Sequence, residues 1–99
     1  MTGAQTHSLK TAANYWDAIA RGDKRFEVRR DDRGFQRGDR LLLRKMSLER
    51  PHTYQAANGL SDLPADALTI EMVIDYVLTG GQLGVEPGYV VMSISPVNT

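Results

Sequence analysis

The sequence has no cysteine, and this absence excludes two kinds of site. Without thiols the 99-residue chain can form neither a disulfide framework nor a thiolate zinc centre. The remaining soft metal ligands are His7 and His52, which lie far apart in the sequence. We therefore expect no bound metal and no cofactor. The lack of cysteine also agrees with a cytoplasmic protein.

Long apolar runs are missing as well. No stretch approaches the roughly 18 apolar residues that a membrane-spanning helix requires, so we expect no membrane partner. Residues 1–6 have neither the basic region nor the apolar core of a signal peptide, which again predicts a cytoplasmic protein. The length fits one domain over residues 1–99, with a flexible tail at 1–5. We expect a monomer.

The net charge is zero, but the charges are unevenly distributed. Residues 21–45 contain ten basic and five acidic side chains, and the rest of the chain carries the opposite imbalance. Such asymmetry suggests one basic face that can meet phosphate. The alternative is a solvated surface on which neighbouring charges pair locally.

One amphipathic helix is predicted near residues 11–21. Thr11 is a suitable N-cap, and Gly22 is suited to a left-handed C-terminal cap. Between them Tyr15, Trp16 and Ile19 recur at helical spacing and should pack against a sheet. Trp16 is expected in the core or in a pocket wall rather than as a base-stacking platform.

The segment after the helix alternates with a period of two. Phe26 and Val28 interleave with Arg25, Glu27 and Arg29, which predicts a half-buried strand whose apolar face packs and whose charged face is exposed. A neighbouring strand should lie beside it in space, at residues 40–46.

Glycine-rich breaks separate the remaining strands. Residues 7–10 fit an edge strand or an extended entry, and residues 47–66 show no period and are expected to form a long loop. We predict principal strands near residues 24–30, 40–46, 68–79 and 89–95. The fold class is therefore α+β, mainly β: a small β-barrel with one main helix packed across it.

Four spaced pieces of the sequence carry a resemblance. They are His7-x-Leu9-Lys10, Tyr15-Trp16-x-x-Ile19-x-x-Gly22-x-Lys24-x-Phe26-Glu27-Val28-Arg29, Asp32-Arg33-x-Phe35-x-x-Gly38-Asp39 and Gly88-Tyr89-Val90-Val91. In this order they resemble the ASCH domains of the PUA-like superfamily, and more narrowly a small branch of phage and bacterial proteins of unknown function. The match covers residues 7–46 and 68–95. Its most specific part is the G-x-K-x-x-E-x-R run followed by G-D.

The resemblance implies a five- or six-stranded barrel with a cleft beside its helix, and RNA or a modified nucleoside as the ligand. In small amidohydrolase relatives that act on acylated cytidines, the corresponding run resembles G-x-K-x-x-T-x-R, and its lysine and threonine are catalytic. Lys24 matches that lysine, but Glu27 stands where the threonine would be. The hydroxyl nucleophile of that reaction is therefore missing.

The candidate catalytic pair is Lys24 and Glu27. Lys24 is placed to bind phosphate or polarise a carbonyl, or else to cover Phe26 with its aliphatic stem. Glu27 has three possible roles: a general base, a partner for an exocyclic amine, or a brace for Arg25 and Arg29. Residues three apart on a regular strand point to opposite faces, so the pair converges only if the chain is still turning at Lys24.

A wider set of residues is predicted to contact nucleic acid. His7 belongs to this set because an imidazole near a cleft can act as an acid or base, although lone histidines often lie at the surface. Tyr89 lies in a predicted strand, where its ring can either stack on a nucleic-acid base or pack in the core. The predicted set is His7, Lys10, Lys24, Arg25, Arg29, Arg30 and Tyr89.

Three function classes fit these features. The first is an RNA- or nucleotide-binding module that uses a basic cleft beside the helix. The second is a small hydrolase acting on RNA or a modified nucleoside, of ribonuclease or amidohydrolase type, and the third is a protein-interaction barrel. The basic window favours the first two, and the absence of a nucleophile–base pair or a metal cluster favours binding.

Overall fold

The computed structural model describes residues 3–97, which form seven strands and one α-helix. Residues 1 and 2 of the predicted tail lie outside the described residues, and residues 3–5 precede the first strand without regular structure. The elements are β1 Thr6–Ala12, α1 Ala13–Ala20, β2 Phe26–Arg30, β3 Arg40–Met46, β4 Tyr54–Ala56, β5 Gly59–Ser61, β6 Thr69–Thr79 and β7 Tyr89–Pro96.

The strands form one curled sheet whose pairing is mostly antiparallel. Its order is β2-β7-β6-β3, and β1 pairs parallel to the other side of β3. Strand β4 pairs with the end of β3, and β5 pairs with β4. This arrangement leaves β1 and β2 as the two edges of the curl.

The predicted closed barrel is corrected to a half-barrel. Within residues 3–97 no ladder joins β1 to β2, and the guanidinium of Arg29 reaches across to the carbonyl of Lys10 instead. The prediction that the strand at 24–30 lies beside the strand at 40–46 is also wrong. Strand β2 pairs with β7, so that β7 and β6 separate it from β3.

The core lies inside the curl and under the helix. Trp16 packs against this core and donates its indole Nε1–H to the carbonyl of Leu43 at 3.0 Å, as expected for a core or pocket wall. The buried core residues are Leu9, Ile19, Phe35, Leu41, Leu43, Met72, Ile74, Val90, Met92 and Ile94.

The helix ends as predicted but begins later. Gly22, at φ 88°, donates to the carbonyl of Ile19, and Asp23 donates to the carbonyl of Ala18, which is the Schellman arrangement. Thr11 is not the N-cap. It belongs to β1 and is buried, because the parallel ladder with β3 continues to Ala12.

The segment predicted as a long loop contains a hairpin. Strands β4 and β5 pair around Ala57 and Asn58, and a 3₁₀ turn, Pro64–Asp66, follows. Three-residue strands are too short to show a period in the sequence, which explains why pattern reading missed them. No helix in the described residues is long and apolar enough to cross a membrane.

Candidate functional site

Strand β2 presents the opposite face from the one predicted. Glu27 is buried, whereas Phe26 and Val28 are about half exposed, at 47% and 52%. The alternation is therefore present, but the charged side chains face inward, toward the gap between β1 and β2. We call this gap the seam.

The carboxylate of Glu27 is buried because it is paired on both sides. Lys24 Nζ donates to Oε1 and Arg29 Nε donates to Oε2, each at 2.9 Å. Burying an unpaired carboxylate would be costly, and two cations that each donate to one of its oxygens make this position possible. Among the predicted roles, the geometry matches the brace for Arg29.

Lys24 reaches Glu27 because the chain is still turning there. The amide of Lys24 donates to the carbonyl of Ala18 at the helix end, and β2 begins only at Phe26. The ammonium also donates to the Phe26 carbonyl at 2.7 Å. It lies 5.3 Å from the ring centre of Tyr15 and 4.7 Å from that of Phe26, within the range of cation–π attraction.

Arg29 divides the seam into two cavities. Its Nη2 donates to the carbonyl of Lys10 at 2.9 Å and to Thr11 Oγ1 at 3.3 Å, so it links the two edge strands. Lys10 and Arg29 line both cavities. The guanidinium thus joins β1 to β2 across the seam, where a closed barrel would have a ladder of backbone hydrogen bonds.

The first cavity lies beside α1 and has a volume of about 580 Å³, in the range of small-molecule sites. Tyr15 is 54% exposed, and its ring lies near the same Lys24 ammonium as the ring of Phe26. The lining residues are Lys10, Thr11, Ala12, Tyr15, Lys24, Phe26, Glu27, Val28 and Arg29.

Unpaired backbone groups also face the first cavity. Asp31 donates to the Gly88 carbonyl at 2.8 Å, in register with the β2–β7 ladder. Bonded and non-bonded pairs alternate in an antiparallel ladder, so Glu27 and Arg29 bond to β7. The amide and carbonyl of Val28 therefore point to the free edge of β2.

The second cavity, on the other side of Arg29, is a groove of about 590 Å³. Its lining includes four cations and no carboxylate. The lining residues are Ser8, Leu9, Lys10, Arg29, Arg33, Arg44, Tyr54 and Pro64.

His7 lies apart from both cavities. It is buried, packs edge-on to Phe35 and donates Nε2–H to Asp39 at 2.9 Å. Burial disfavours the charged form of Asp39, but hydrogen bonds from His7 and from the amides of Gln5 and Gln36 outweigh it and hold the pKa of Asp39 below its ordinary value. Through these hydrogen bonds Asp39 joins β1 to the turn before β3.

The remaining predicted contacts lie outside the cavities. Arg30 stacks over the Tyr89 ring at 5.4 Å, and neither residue lines the seam. Arg25 is exposed beside the helix end, where its guanidinium lies near Gly22. In residues 3–97 no group of three or more His, Cys, Asp or Glu residues is arranged to hold a metal ion.

The sequence reading did not single out Tyr15, Arg33 and Arg44 as site residues. Tyr15 has helical spacing and was expected to pack on the sheet, but it stands at the side of α1 and lines the first cavity. Arg33 follows β2 in a turn, and Arg44 is near the end of β3. Only the curl of the sheet brings the two arginines together, so no spacing in the sequence signals it.

Comparison with known proteins finds a short alignment with a phage protein and a match to a family model. A segment of 40 residues is 45% identical to an uncharacterized 12.9 kDa protein in the GpA 3′ region of Escherichia phage P2. The alignment covers 40% of this chain and 37% of the length of that phage protein. The family model described as Domain of unknown function (DUF3850) matches residues 6–94, from β1 to β7. The chain belongs to this family of unknown function.

Proposed function

We propose that this protein binds RNA or a nucleotide in the seam between β1 and β2. The observation that carries the proposal is the first cavity, where the Lys24 ammonium lies within 5.3 Å of the ring centres of both Tyr15 and Phe26, two half-exposed aromatic residues. Exposed aromatic rings are platforms for bases, and a cation beside them favours an anionic ligand. The basic groove that continues past Arg29 would follow the sugar-phosphate backbone.

The resemblance to ASCH domains of the PUA-like superfamily supports the same ligand class. The half-barrel has its helix beside the cleft, and the G-x-K run forms the turn that delivers Lys24 to the cavity. We propose that the chain is a PUA-like module of this kind. We propose that it acts in the cytoplasm, because a chain without cysteine forms no disulfides and fits that reducing compartment.

A titration of fluorescent single-stranded RNA and DNA oligomers at two salt concentrations tests the proposal. If about three phosphates are neutralised, the log–log salt slope for a single strand should be near −2. We expect Tyr15→Ala to weaken binding by roughly tenfold, the value of one base–aromatic stack. Lys24→Gln should weaken binding and make the slope shallower.

Tyr76→Ala is the matched control. Tyr76 is 63% exposed but lines neither cavity, so its removal should leave the affinity unchanged. Absence of binding at low salt, or an affinity that does not respond to salt, would refute the proposal. Equal losses for the Tyr15 and Tyr76 variants would assign binding to a surface other than the seam.

A hydrolase remains the second candidate because Lys24 and Glu27 converge at 2.9 Å in the first cavity. An ammonium there can hold an oxyanion or phosphate while the carboxylate orients water. The test is turnover of acylated nucleosides and short RNAs by the parent, Lys24→Ala and Glu27→Gln proteins. No activity in the parent, or activity that survives both changes, removes the pair from catalysis.

A further inference from the structure

The arginines of the second cavity are held by neutral oxygen atoms. Arg33 Nη1 donates to the Ser8 carbonyl at 2.9 Å, and Arg44 Nε donates to Ser8 Oγ at 2.9 Å. Arg44 Nη1 also donates to the carbonyl of Pro64 at 2.7 Å. Because both guanidinium groups bind the same serine, they converge on one point of the groove.

Neutral acceptors orient a guanidinium without cancelling its charge. Two other cations of strand β3 have carboxylate partners instead: Arg40 pairs with Glu71 at 3.5 Å and Lys45 pairs with Asp17 at 2.7 Å. Within residues 3–97 the one carboxylate within 4.0 Å of Arg33 or Arg44 is that of Asp32, which lies 4.0 Å from Arg33 Nε and has a side chain 64% exposed. Such an exposed contact compensates little charge.

The groove therefore holds oriented positive charge that the protein itself leaves largely uncompensated. Lys10 adds a third cation to the lining of the groove. Arg29, which already pairs with Glu27, adds a fourth. Each groove arginine keeps N–H donors beyond those used for Ser8 and Pro64. Forked guanidinium groups with spare donors suit the oxygens of a phosphate.

We propose that the second cavity is a site for a terminal phosphate monoester, formed by Arg33, Arg44 and Lys10. A monoester carries about −1.5 to −2 charges at neutral pH and has three acceptor oxygens, whereas a phosphodiester inside a strand carries one charge. The excess of oriented cations favours the more highly charged group. The inference rests on the proposed function, since the nucleoside of the same ligand would occupy the first cavity.

The test compares oligomers of one sequence that carry a phosphate or a hydroxyl, at the 5′ end and separately at the 3′ end. We expect the parent protein to bind the phosphorylated form of one end roughly tenfold more tightly, as for one added charge-assisted contact. Arg33→Gln and Arg44→Gln should each reduce this ratio, and the double variant should bring it close to one.

Arg40→Gln is the matched control. It removes one positive charge from the same strand as Arg44, but Arg40 pairs with Glu71 and does not line the groove. The ratio should be unchanged in this variant. An equal loss in Arg40→Gln would mean that net charge alone, and not the groove, sets the preference.

Titration with inorganic phosphate, followed through backbone amide NMR signals, separates this inference from the proposed function. Shifts centred on Ser8 and Arg44 without RNA binding would support the groove while refuting the RNA proposal. RNA binding without any end preference, together with no phosphate-dependent shifts at these residues, would overturn the groove. The Arg33 variant keeps the test valid if Arg44→Gln fails to fold, because Arg33 lies outside the strands.

Discussion

Glu27 shows how one residue controls the whole site. The residue is 3% exposed, and each of its carboxylate oxygens accepts a hydrogen bond from a cationic side chain. Lys24 is thereby held in the lining of the first cavity, and Arg29 is held between the two cavities. Glu27, for which a general base was one of three predicted roles, thus orients two cationic groups of the seam.

Asp39 provides a prediction about pH at the residue scale. Its pKa is lowered in the folded protein, so the charged form stabilises the fold above the unfolded pKa of about 3.9, and this contribution is lost as the pH falls through the folded value. We expect Asp39→Asn to lower the free energy of unfolding by about 1–3 kcal/mol at neutral pH. Urea denaturation of both proteins from pH 7 to pH 3 measures the difference.

The difference between parent and Asp39→Asn should begin to shrink as the pH falls below about 4, because the unfolded parent then takes up a proton at Asp39 while the folded carboxylate, with its lowered pKa, stays charged. Asp75→Asn is the control. Asp75 is exposed and accepts one hydrogen bond from Ser95, so its effect should stay within about 0.5 kcal/mol. A loss for Asp39→Asn that is constant across this range would contradict the assigned role of the charge.

At the scale of elements, the connection between β6 and β7 depends on Gly80. A Cβ at this position would lie 2.0 Å from the Glu86 carbonyl oxygen and 2.7 Å from that of Tyr89, and both atoms belong to the backbone. We expect Gly80→Ala to destabilise the fold by about 3 kcal/mol because the loop must move. Thermal and urea unfolding measure this loss. Gly3→Ala, which meets no atom within 4 Å, should leave stability nearly unchanged.

Several elements could be predicted from the sequence because they are long or clearly patterned. β3 occupies the predicted residues, and β6 and β7 agree to within one residue at each end. The alternation of apolar residues in β6 did not predict the register shift between Ile74 and Tyr76. This shift leaves Tyr76 exposed, while Val77 packs on the core. An irregularity of this kind depends on pairing with β7 rather than on local sequence.

The site was only partly predictable for a similar reason. The G-x-K-x-x-E-x-R run predicted Lys24, Glu27 and Arg29 as candidate site residues, and the turn after α1 brings these three side chains together. Which face of β2 is buried depends on ion pairs that hydrophobic pattern rules do not count. The meeting of Arg33 with Arg44 depends on curvature of the sheet, and that is a property of the fold.

At the scale of the whole molecule, the open seam makes a prediction about hydrogen exchange. The amide of Val28 faces the free edge of β2, whereas those of Glu27 and Arg29 face β7. We expect the Val28 amide to exchange rapidly and its two neighbours slowly. Native-state exchange followed by NMR measures this contrast. Equal protection of all three would indicate a closed barrel, and ligand bound in the first cavity should slow exchange at Val28.

The position of β2 in the sheet also determines when the cleft can form during folding. Phe26 pairs with Ser93, 67 residues later, whereas Thr79 and Val90 of β6 and β7 are separated by 11 residues. Contacts between distant parts of a chain form slowly, because the closure of a long loop must precede them. We therefore expect β2 to lack its ladder during synthesis until β7 has left the ribosome. The seam between β1 and β2 should then be among the last parts of the fold to form.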